Sequence, residues 1–366
     1  MPQTDNEIIC RPFSGIISQE RATGYLKRVM MGDKIPHAYL FTGIEGIGKT
    51  TTAIALAQAL NCLQPRDFEG CGDCIPCRRI RNRNFADLIF IEPDGHNIKI
   101  EQIRDLNRAL SFKPVSGKYR VVIVNHAERM TAEAANSFLK SLEEPPPHNV
   151  IIIKVVEPLD LLPTIISRCQ IVPFRPLPAS KIRDWLKTEM GLDEEKAALL
   201  SRISEGSLGK AIQFKENDIL EYRQNCLIEL MRLPELPMEQ VLQTAWDYSE
   251  RSKKRNSDSA ELKDNGLFEL LGMWKTWYRD LILVKVRGPR DKIINIDFSR
   301  KLKNISENFR LDNLLESFQV IDRAQREMMR NPNPGLMMEN IMIALKRFSE
   351  IPASLPAFVP KTPGEI

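Results

Sequence analysis

The sequence predicts an α/β module built on a parallel sheet, followed by a region made of helices. Two observations lead to this fold class. In the first half, apolar segments of strand length alternate with longer amphipathic segments, as in a parallel sheet covered by helices. After the proline-rich residues 173–178 (PFRPLP), the strand-like segments end and apolar residues recur at helical spacing. We therefore expect a linker at this proline-rich segment.

The elements of the first half follow from the positions of the apolar residues. Strands are predicted at residues 38–42, 87–91, 120–124 and 150–155. Helices are predicted at residues 50–60, 100–110 and 131–142. Leu, Ile and Ala recur every three or four positions in these three segments, which is the spacing of a helix face packed on a sheet.

The second half is predicted to be helical throughout. Residues 179–213 form a small unit with five residues on its apolar face: Trp185, Leu186, Leu199, Leu200 and Ile203. Further helices are predicted at residues 267–286, 311–329 and 337–348. A polar loop is expected at residues 249–265, and the proline-rich residues after 351 are expected to form a loose tail.

The composition excludes several classes of protein. The chain has 366 residues, of which 43% are hydrophobic and 27% charged, so it is neither disordered nor fibrous. Its apolar runs are far shorter than the roughly 20 residues that cross a bilayer. The first residues lack the pattern of a signal peptide, which predicts a cytoplasmic location with reduced thiols. The net charge of +4 is too small to indicate nucleic-acid binding by itself.

Residues 43–50 (GIEGIGKT) match the phosphate-loop pattern G-x-x-x-x-G-K-[ST] between a predicted strand and a predicted helix. Glycines let backbone N–H groups surround a phosphate, the lysine reaches the terminal phosphates, and the hydroxyl group binds Mg²⁺. The sequence therefore predicts binding of ATP or ADP with Mg²⁺ through five residues: Gly43, Gly46, Gly48, Lys49 and Thr50. The alternative is a tight turn with a coincidental lysine.

The strand at residues 120–124 ends without the acidic residue that hydrolysis of ATP requires. Phosphate-loop enzymes place an acid there to hold Mg²⁺. Asn125 and His126 follow this strand, and a neutral amide is a weaker Mg²⁺ ligand than a carboxylate. Glu128 lies close by at a different spacing. We expect little or no ATP hydrolysis, and we interpret His126 as a polar residue at the sheet edge rather than a catalytic base.

Four of the seven cysteines follow the pattern C-x8-C-x2-C-x2-C: Cys62, Cys71, Cys74 and Cys77. Four thiolates at this spacing suit a closed, tetrahedral structural zinc site. Disulfide pairing is the alternative, which a reducing compartment disfavours. Four arginines follow between residues 78 and 83, and they represent either a nucleic-acid contact or a solvated charged face.

These motifs, with several longer segments, resemble a known family. The segments are residues 13–19 (FSGIISQ), 36–41 (PHAYLF), 136–146 (NSFLKSLEEPP), 161–169 (LLPTIISRC) and 331–339 (NPNPGLMME). Together with the phosphate loop and the cysteine insertion, they are similar to bacterial DNA polymerase III clamp-loader subunits, specifically the delta prime and gamma/tau subunits. The resemblance covers most of the chain.

The resemblance implies a domain organisation and a set of partners. It implies an AAA+ module at residues 1–175 with a zinc-binding insertion at 62–77, a helical lid at 176–240, a helical collar at 241–350 and a tail at 351–366. The implied partners are gamma/tau and delta subunits in a hetero-pentameric ring, the sliding clamp, and primer-template DNA through the assembly. No membrane is implied.

Residues 167–169 resemble the family's S-R-C motif, whose arginine reaches the nucleotide site of the neighbouring subunit. This implies a catalytic role in trans for Arg168, since a guanidinium group stays charged and can bracket phosphate oxygens. The alternative is a surface arginine.

Three departures from the motor pattern favour a delta prime-type subunit over an ATPase motor. Asn125 and His126 replace the acidic pair, Val155–Val156 replaces a polar sensor, and residues 206–210 (GSLGK) carry glycine in place of a sensor arginine. Lys210 lies beside this position and is a candidate partial substitute for that arginine, and the intact phosphate loop is itself a departure, since delta prime subunits often have degenerate ones. We expect a part of the DNA polymerase III holoenzyme, a nucleotidyltransferase complex, with negligible ATPase activity of its own. The alternatives are a gamma/tau-like motor that uses Glu128, and a zinc-dependent nucleic-acid-binding protein.

Overall fold

A computed structural model describes residues 10–32, 34–255, 265–328 and 333–350. The chain divides into two compact units. The first contains the described residues up to Ala197 together with Ser204–Ile212. The second contains Ala198–Ile203 and the described residues from Gln213 onward.

A parallel sheet of five strands forms the centre of the first unit. The strands are β1 (Ala38–Thr42), β2 (Leu88–Ile91), β3 (Arg120–Val124), β4 (Asn149–Val155) and β5 (Gln170–Pro173). Their order across the sheet is β2-β3-β4-β1-β5. Every residue of β1 and β3 is buried, because helices cover both faces of the sheet.

The helices described between residues 20 and 216 are α1 (Glu20–Met31), α2 (Lys49–Asn61), α3 (Ile75–Arg81), α4 (Ile100–Leu110), α5 (Ala132–Glu143), α6 (Pro163–Ile166), α7 (Ala179–Met190), α8 (Glu194–Ile203) and α9 (Leu208–Glu216). The first unit contains α1–α7 and the N-terminal parts of α8 and α9. Apolar residues of α4 and α5, among them Ile103, Leu106 and Phe138, form one core cluster with residues of β3 and β4. This packing fixes the ends of β3 and β4 that carry the residues discussed below.

The second unit consists of helices in the part of the chain that the structure describes. They are α10 (Ile219–Arg232), α11 (Met238–Arg255), α12 (Asn265–Lys285), α13 (Ser299–Asn308), α14 (Leu311–Glu327) and α15 (Pro334–Glu350). Trp274 and Trp277 of α12 lie in its core, and each meets another ring edge-on, at centroid distances of 5.5 Å from Tyr248 and 5.7 Å from Phe298.

The predicted fold class, an α/β module on a parallel sheet followed by helices, is confirmed. The four predicted strands and the three predicted helices of the first half are present within one residue at each end. Strand β5 was not predicted, because three of its four residues are exposed at the sheet edge and it runs into the proline-rich segment. The domain division at residues 175, 240 and 350 remains a prediction.

The predicted loop at residues 249–265 is wrong for residues 249–255, which continue α11. Val241, Ala245 and Tyr248 are buried at helical spacing and keep this helix packed on its neighbours. Residues 256–264 and the predicted tail at 351–366 lie outside the described residues. Among the helices that are described, none has the length and the apolar character needed to cross a bilayer.

Candidate nucleotide, metal and arginine sites

The phosphate loop connects the end of β1 to the start of α2. Gly43, Gly46 and Gly48 have φ angles of 131°, 72° and 103°. Side chains other than glycine rarely adopt this left-handed region, so the loop path requires these three glycines. The structure therefore places the predicted loop residues between a strand and a helix N-terminus, as a phosphate site requires.

Lys49 folds back over its own loop. Its Nζ atom donates hydrogen bonds to the carbonyl oxygens of Gly43 and, at 3.0 Å, of Ile44. Burial lowers the pKa of Lys49, and the carboxylates of Glu45 and Glu128 partly oppose that effect. Lys49 is thus held at the mouth of the loop, where the oxygen atoms of a phosphate group can replace these two carbonyl groups.

The phosphate loop lies directly against the start of α9. The backbone N–H of Gly209 donates to the carbonyl oxygen of Gly46 at 2.8 Å. A Cβ atom built on Gly209 would lie 2.8 Å from the Cα atom of Gly46, and one built on Gly46 would lie 2.3 Å from the Oγ atom of Ser207. The two backbones approach this closely because both positions are glycine. Gly209 belongs to the segment where the resemblance expects a sensor arginine.

The carboxyl ends of β3 and β4 meet beside the phosphate loop. Lys154 Nζ donates to the Oγ1 atom of Thr50 and, at 2.6 Å, to the Oδ1 atom of Asn125. The amide nitrogen of Asn125 donates to the carboxylate of Glu92 at 2.6 Å. Burial, together with the nearby charge of Lys49, lowers the pKa of Lys154 to about 8. The sequence analysis did not identify Lys154, although a single lysine among the apolar residues of β4 was a visible signal.

His126 and Glu128 lie close to one another on the same side of the loop. His126 Nδ1 is 3.3 Å from a carboxylate oxygen of Glu128 and 3.5 Å from one of Glu45. Burial acts to raise the pKa of Glu128, but the hydrogen bonds from His126 and from the Glu128 backbone, with the charges of His126 and Arg129, together give a net downward shift. The second carboxylate oxygen of Glu128 is buried and has no hydrogen-bond partner among the described residues. Glu128 is therefore an ionised carboxylate with a free oxygen atom.

The four clustered cysteines come together at the C-terminal end of α2. Their sulfur atoms all lie within 4.8 Å of one another, and Cys62 Sγ is 3.9 Å from Cys74 Sγ. Four thiolates bound to zinc at about 2.3 Å are about 3.8 Å apart, so this donor set fits a tetrahedral zinc ion. Hydrogen bonds from the backbone N–H of Cys74 and, to a smaller extent, of Asp73 lower the pKa of Cys71 to about 6. Zinc bound by Cys62, Cys71, Cys74 and Cys77 would cross-link this loop.

The arginines that follow the cysteines divide into two pairs. Arg81 donates to the carbonyl oxygen of Gly72 in the cysteine loop, and the guanidinium group of Arg83 lies 5.1 Å from the ring centroid of Phe90. All four arginines are exposed. Because Arg81 and Arg83 contact local groups, Arg78 and Arg79 are the stronger candidates for a contact outside the chain.

Arg168 lies just after α6, at the surface. Its guanidinium group is 2.7 Å from a carboxylate oxygen of Glu143 and donates to the carbonyl oxygen of Thr164 at 2.8 Å. The side chain remains 34% exposed. Arg168 therefore lies at the surface of the first unit, and its role in trans remains a prediction.

Comparisons with known proteins agree with the resemblance. The family described as "DNA polymerase III, delta subunit" matches residues 18–178. The chain is 30% identical to Bacillus subtilis DNA polymerase III subunit delta' over 328 residues, 90% of this chain and 96% of that protein. It is 25% identical to B. subtilis subunit tau over 352 residues, 91% of this chain and 61% of that protein. A solved gamma subunit-related protein from Thermotoga maritima has a TM-score of 0.46 at 22% identity, covering 90% of this chain and 99% of that one.

Proposed function

The chain belongs to the DNA polymerase III clamp-loader family of delta prime, gamma and tau subunits, and on that premise we propose that it is a delta prime-type subunit. In this role it helps to load the sliding clamp onto primed DNA. It acts in the cytoplasm within a hetero-pentameric ring that contains gamma/tau and delta subunits. The alignment with B. subtilis subunit delta' over nearly the whole of both chains supports this proposal.

The observation that carries the non-motor role is the chemistry at the end of β3. An ATPase motor needs a carboxylate there to hold Mg²⁺, and this chain has the amide of Asn125. Both ends of that amide are already hydrogen-bonded, to Lys154 and to Glu92. The subunit therefore binds a nucleotide at Gly43, Gly46, Gly48, Lys49 and Thr50 without hydrolysing it at an appreciable rate.

In this proposal Arg168 acts in trans on the nucleotide of a neighbouring subunit. The guanidinium group stabilises the negative charge that develops when the terminal phosphate is transferred. Its contact with Glu143 is an exposed ion pair, which contributes about 0–1 kcal/mol, so the arginine is readily released to a stronger anion. Zinc at the four cysteines has a structural role.

The test is a reconstituted five-subunit complex that carries Arg168→Ala. An arginine finger contributes about a thousandfold or more to the rate of a single site, and one site of several in a ring contributes less. We expect clamp- and DNA-stimulated ATP hydrolysis to fall, with poor rescue by Arg168→Lys, which lacks the planar fork. Arg108→Ala is the matched control, because Arg108 also forms an exposed ion pair, with Asp105. An unchanged rate in a fully assembled ring with Arg168→Ala would show that Arg168 is only a surface charge.

One observation favours a second candidate, an ATPase motor of the gamma/tau type. The free, buried oxygen atom of Glu128 offers a carboxylate that could replace the missing acid. Phosphate release by the isolated chain separates the two functions. Turnover at the rate of a motor subunit, abolished by Glu128→Gln, would favour the motor, and negligible turnover would favour the delta prime-type role.

A further inference from the structure

An ammonium group lies at the position where a phosphate loop holds its magnesium ion. Thr50, the predicted magnesium ligand, accepts a hydrogen bond from Lys154 Nζ through its Oγ1 atom. Asn125, which stands at the position of the usual acid, accepts one through Oδ1 at 2.6 Å. Mg²⁺ requires near-octahedral oxygen ligands at about 2.1 Å. Because one cation already occupies both oxygen atoms, the residues present do not fit a magnesium ion.

We propose that the Lys154 ammonium replaces the magnesium ion, so that the phosphate loop takes the terminal phosphates of ATP or ADP without a divalent cation. This inference rests on the nucleotide-binding part of the proposed function. Lys49 at the mouth of the loop and Lys154 beside Thr50 supply two ammonium groups from two different elements, α2 and β4. Both are point charges with several N–H donors, which is what phosphate oxygen atoms accept.

The hydrogen bonds around Lys154 explain why Asn125 is an amide. Its Oδ1 atom accepts from a cation, and its Nδ2 group donates to the carboxylate of Glu92 at 2.6 Å. An aspartate at this position would place two carboxylates side by side, which disfavours ionisation of both. An amide offers an acceptor on one side and a donor on the other, whereas an ionised carboxylate only accepts. The four groups therefore form one connected chain, in which Lys154 donates to Thr50 and to Asn125, and Asn125 donates to Glu92.

The replacement also preserves the local charge. A magnesium ion held by one carboxylate carries the same net charge as one ammonium group beside a neutral amide. A site with lysine and asparagine therefore attracts a triphosphate about as strongly as a site with a magnesium ion and an acidic residue. The charged groups that act most strongly on the pKa of Lys154 are Lys49, Glu92, Glu45 and Arg83. The exchange removes the electrophilic metal while the electrostatic part of phosphate binding remains.

The test is calorimetric titration of the full, zinc-loaded chain with ATP, and separately with ADP, in magnesium-free buffer and in excess Mg²⁺. The magnesium-free buffer is prepared by passing it over a chelating resin before the protein is added, so that the cysteine cluster keeps its zinc. We expect the unmodified protein to bind each nucleotide at least as tightly in magnesium-free buffer as in Mg²⁺. Lys154→Ala should weaken binding in magnesium-free buffer by about tenfold to a hundredfold, the value of a hydrogen bond to a charged group. Mg²⁺ should restore part of that loss, because the vacated space is then open to the ion. Lys113→Ala, at an exposed lysine of the same unit, should change neither titration.

Two outcomes would overturn the inference. One is that the unmodified, zinc-loaded protein requires Mg²⁺ and loses about tenfold or more of its affinity in magnesium-free buffer. The other is that it binds neither nucleotide in either buffer. Neither depends on a variant that must fold, and neither measures ring assembly or Arg168. A failure here is therefore distinguishable from a failure of the proposed clamp-loader role, which assembly of the reconstituted complex tests.

Discussion

Replacement of Gly209 by alanine tests the close contact between α9 and the phosphate loop. The added Cβ atom would lie 2.8 Å from the Cα atom and 3.3 Å from the carbonyl oxygen of Gly46. Both atoms belong to backbone, so the contact is relieved only if the loop or the helix moves. Overpacking of this kind costs about 1–3 kcal/mol. Helix propensity acts in the opposite direction, because alanine is favoured over glycine in a helix by about 1 kcal/mol.

Gly24→Ala separates these two effects. Gly24 lies inside α1 of the same unit, and a Cβ atom there would meet nothing within 4 Å. This control should gain the helix-propensity benefit alone and become more stable by about 0.5–1 kcal/mol. Gly209→Ala should be less stable than Gly24→Ala by about 1–3 kcal/mol, because only the first variant carries the steric cost.

Urea unfolding followed by circular dichroism measures the difference, since a change in midpoint at constant slope reports a change in stability. Protection by ATP gives a second readout, because a displaced Gly46 should also weaken phosphate binding. If Gly209→Ala were as stabilising as Gly24→Ala and bound ATP normally, the close contact between α9 and the phosphate loop would not exist in solution.

Two further predictions concern the metal cluster and a buried carboxylate. Cys77→Ser should reduce zinc from about one ion per chain to near zero in elemental analysis, whereas Cys10→Ser should retain the ion because Cys10 lies outside the cluster. Asp87 accepts N–H groups of residues 115–117 and pairs with Arg120. Burial opposes ionisation of Asp87, but these donors outweigh it and lower the pKa of Asp87 in the folded state. The ionised carboxylate therefore stabilises the fold at neutral pH. That stabilisation is lost as the pH falls below about 4 and through the pKa of the folded state. Asp87→Asn should lower the free energy of unfolding by about 3–5 kcal/mol near pH 7. In urea titrations at several pH values, the variant should lose less stability at acid pH than the unmodified protein does. An unchanged dependence of stability on pH would contradict this role of Asp87.

The sequence predicted the parts of the fold in which burial is uniform. Strands β1 and β3 are buried at every residue, so their ends coincide with the ends of apolar runs. Strand β5 escaped prediction because its edge position leaves Gln170 and Ile171 exposed, and its last residue, Pro173, was assigned to the linker. The other edge strand, β2, is apolar at all four residues (LIFI) and was predicted, whereas β5 begins with Gln170 and ends with Pro173, so it lacks the continuous apolar run that identified the others.

Some of the candidate site residues could be predicted from the sequence and others could not. The phosphate loop and the cysteine cluster could be predicted because their residues are close in sequence and their spacing is fixed by local geometry. The role of Lys154 depends on the register that pairs it with Phe41 of β1, and on the meeting of three segments distant in sequence. Gly209 likewise acquires its role only through contact with Gly46. No single-sequence pattern encodes such long-range contacts.

Helix α2 joins the candidate nucleotide site to the candidate metal site as one rigid rod. Its 13 residues, Lys49–Asn61, span about 20 Å from the phosphate loop to Cys62. The helix macrodipole points its positive end at the phosphate loop and its negative end at the cysteine thiolates. The positive end favours a bound anion. The negative end disfavours four uncompensated thiolates, so it favours a divalent cation that neutralises them. One helix therefore sets the sign of the charge that each site attracts, and a residue inserted into it would turn the cysteines by about 100° relative to the phosphate loop.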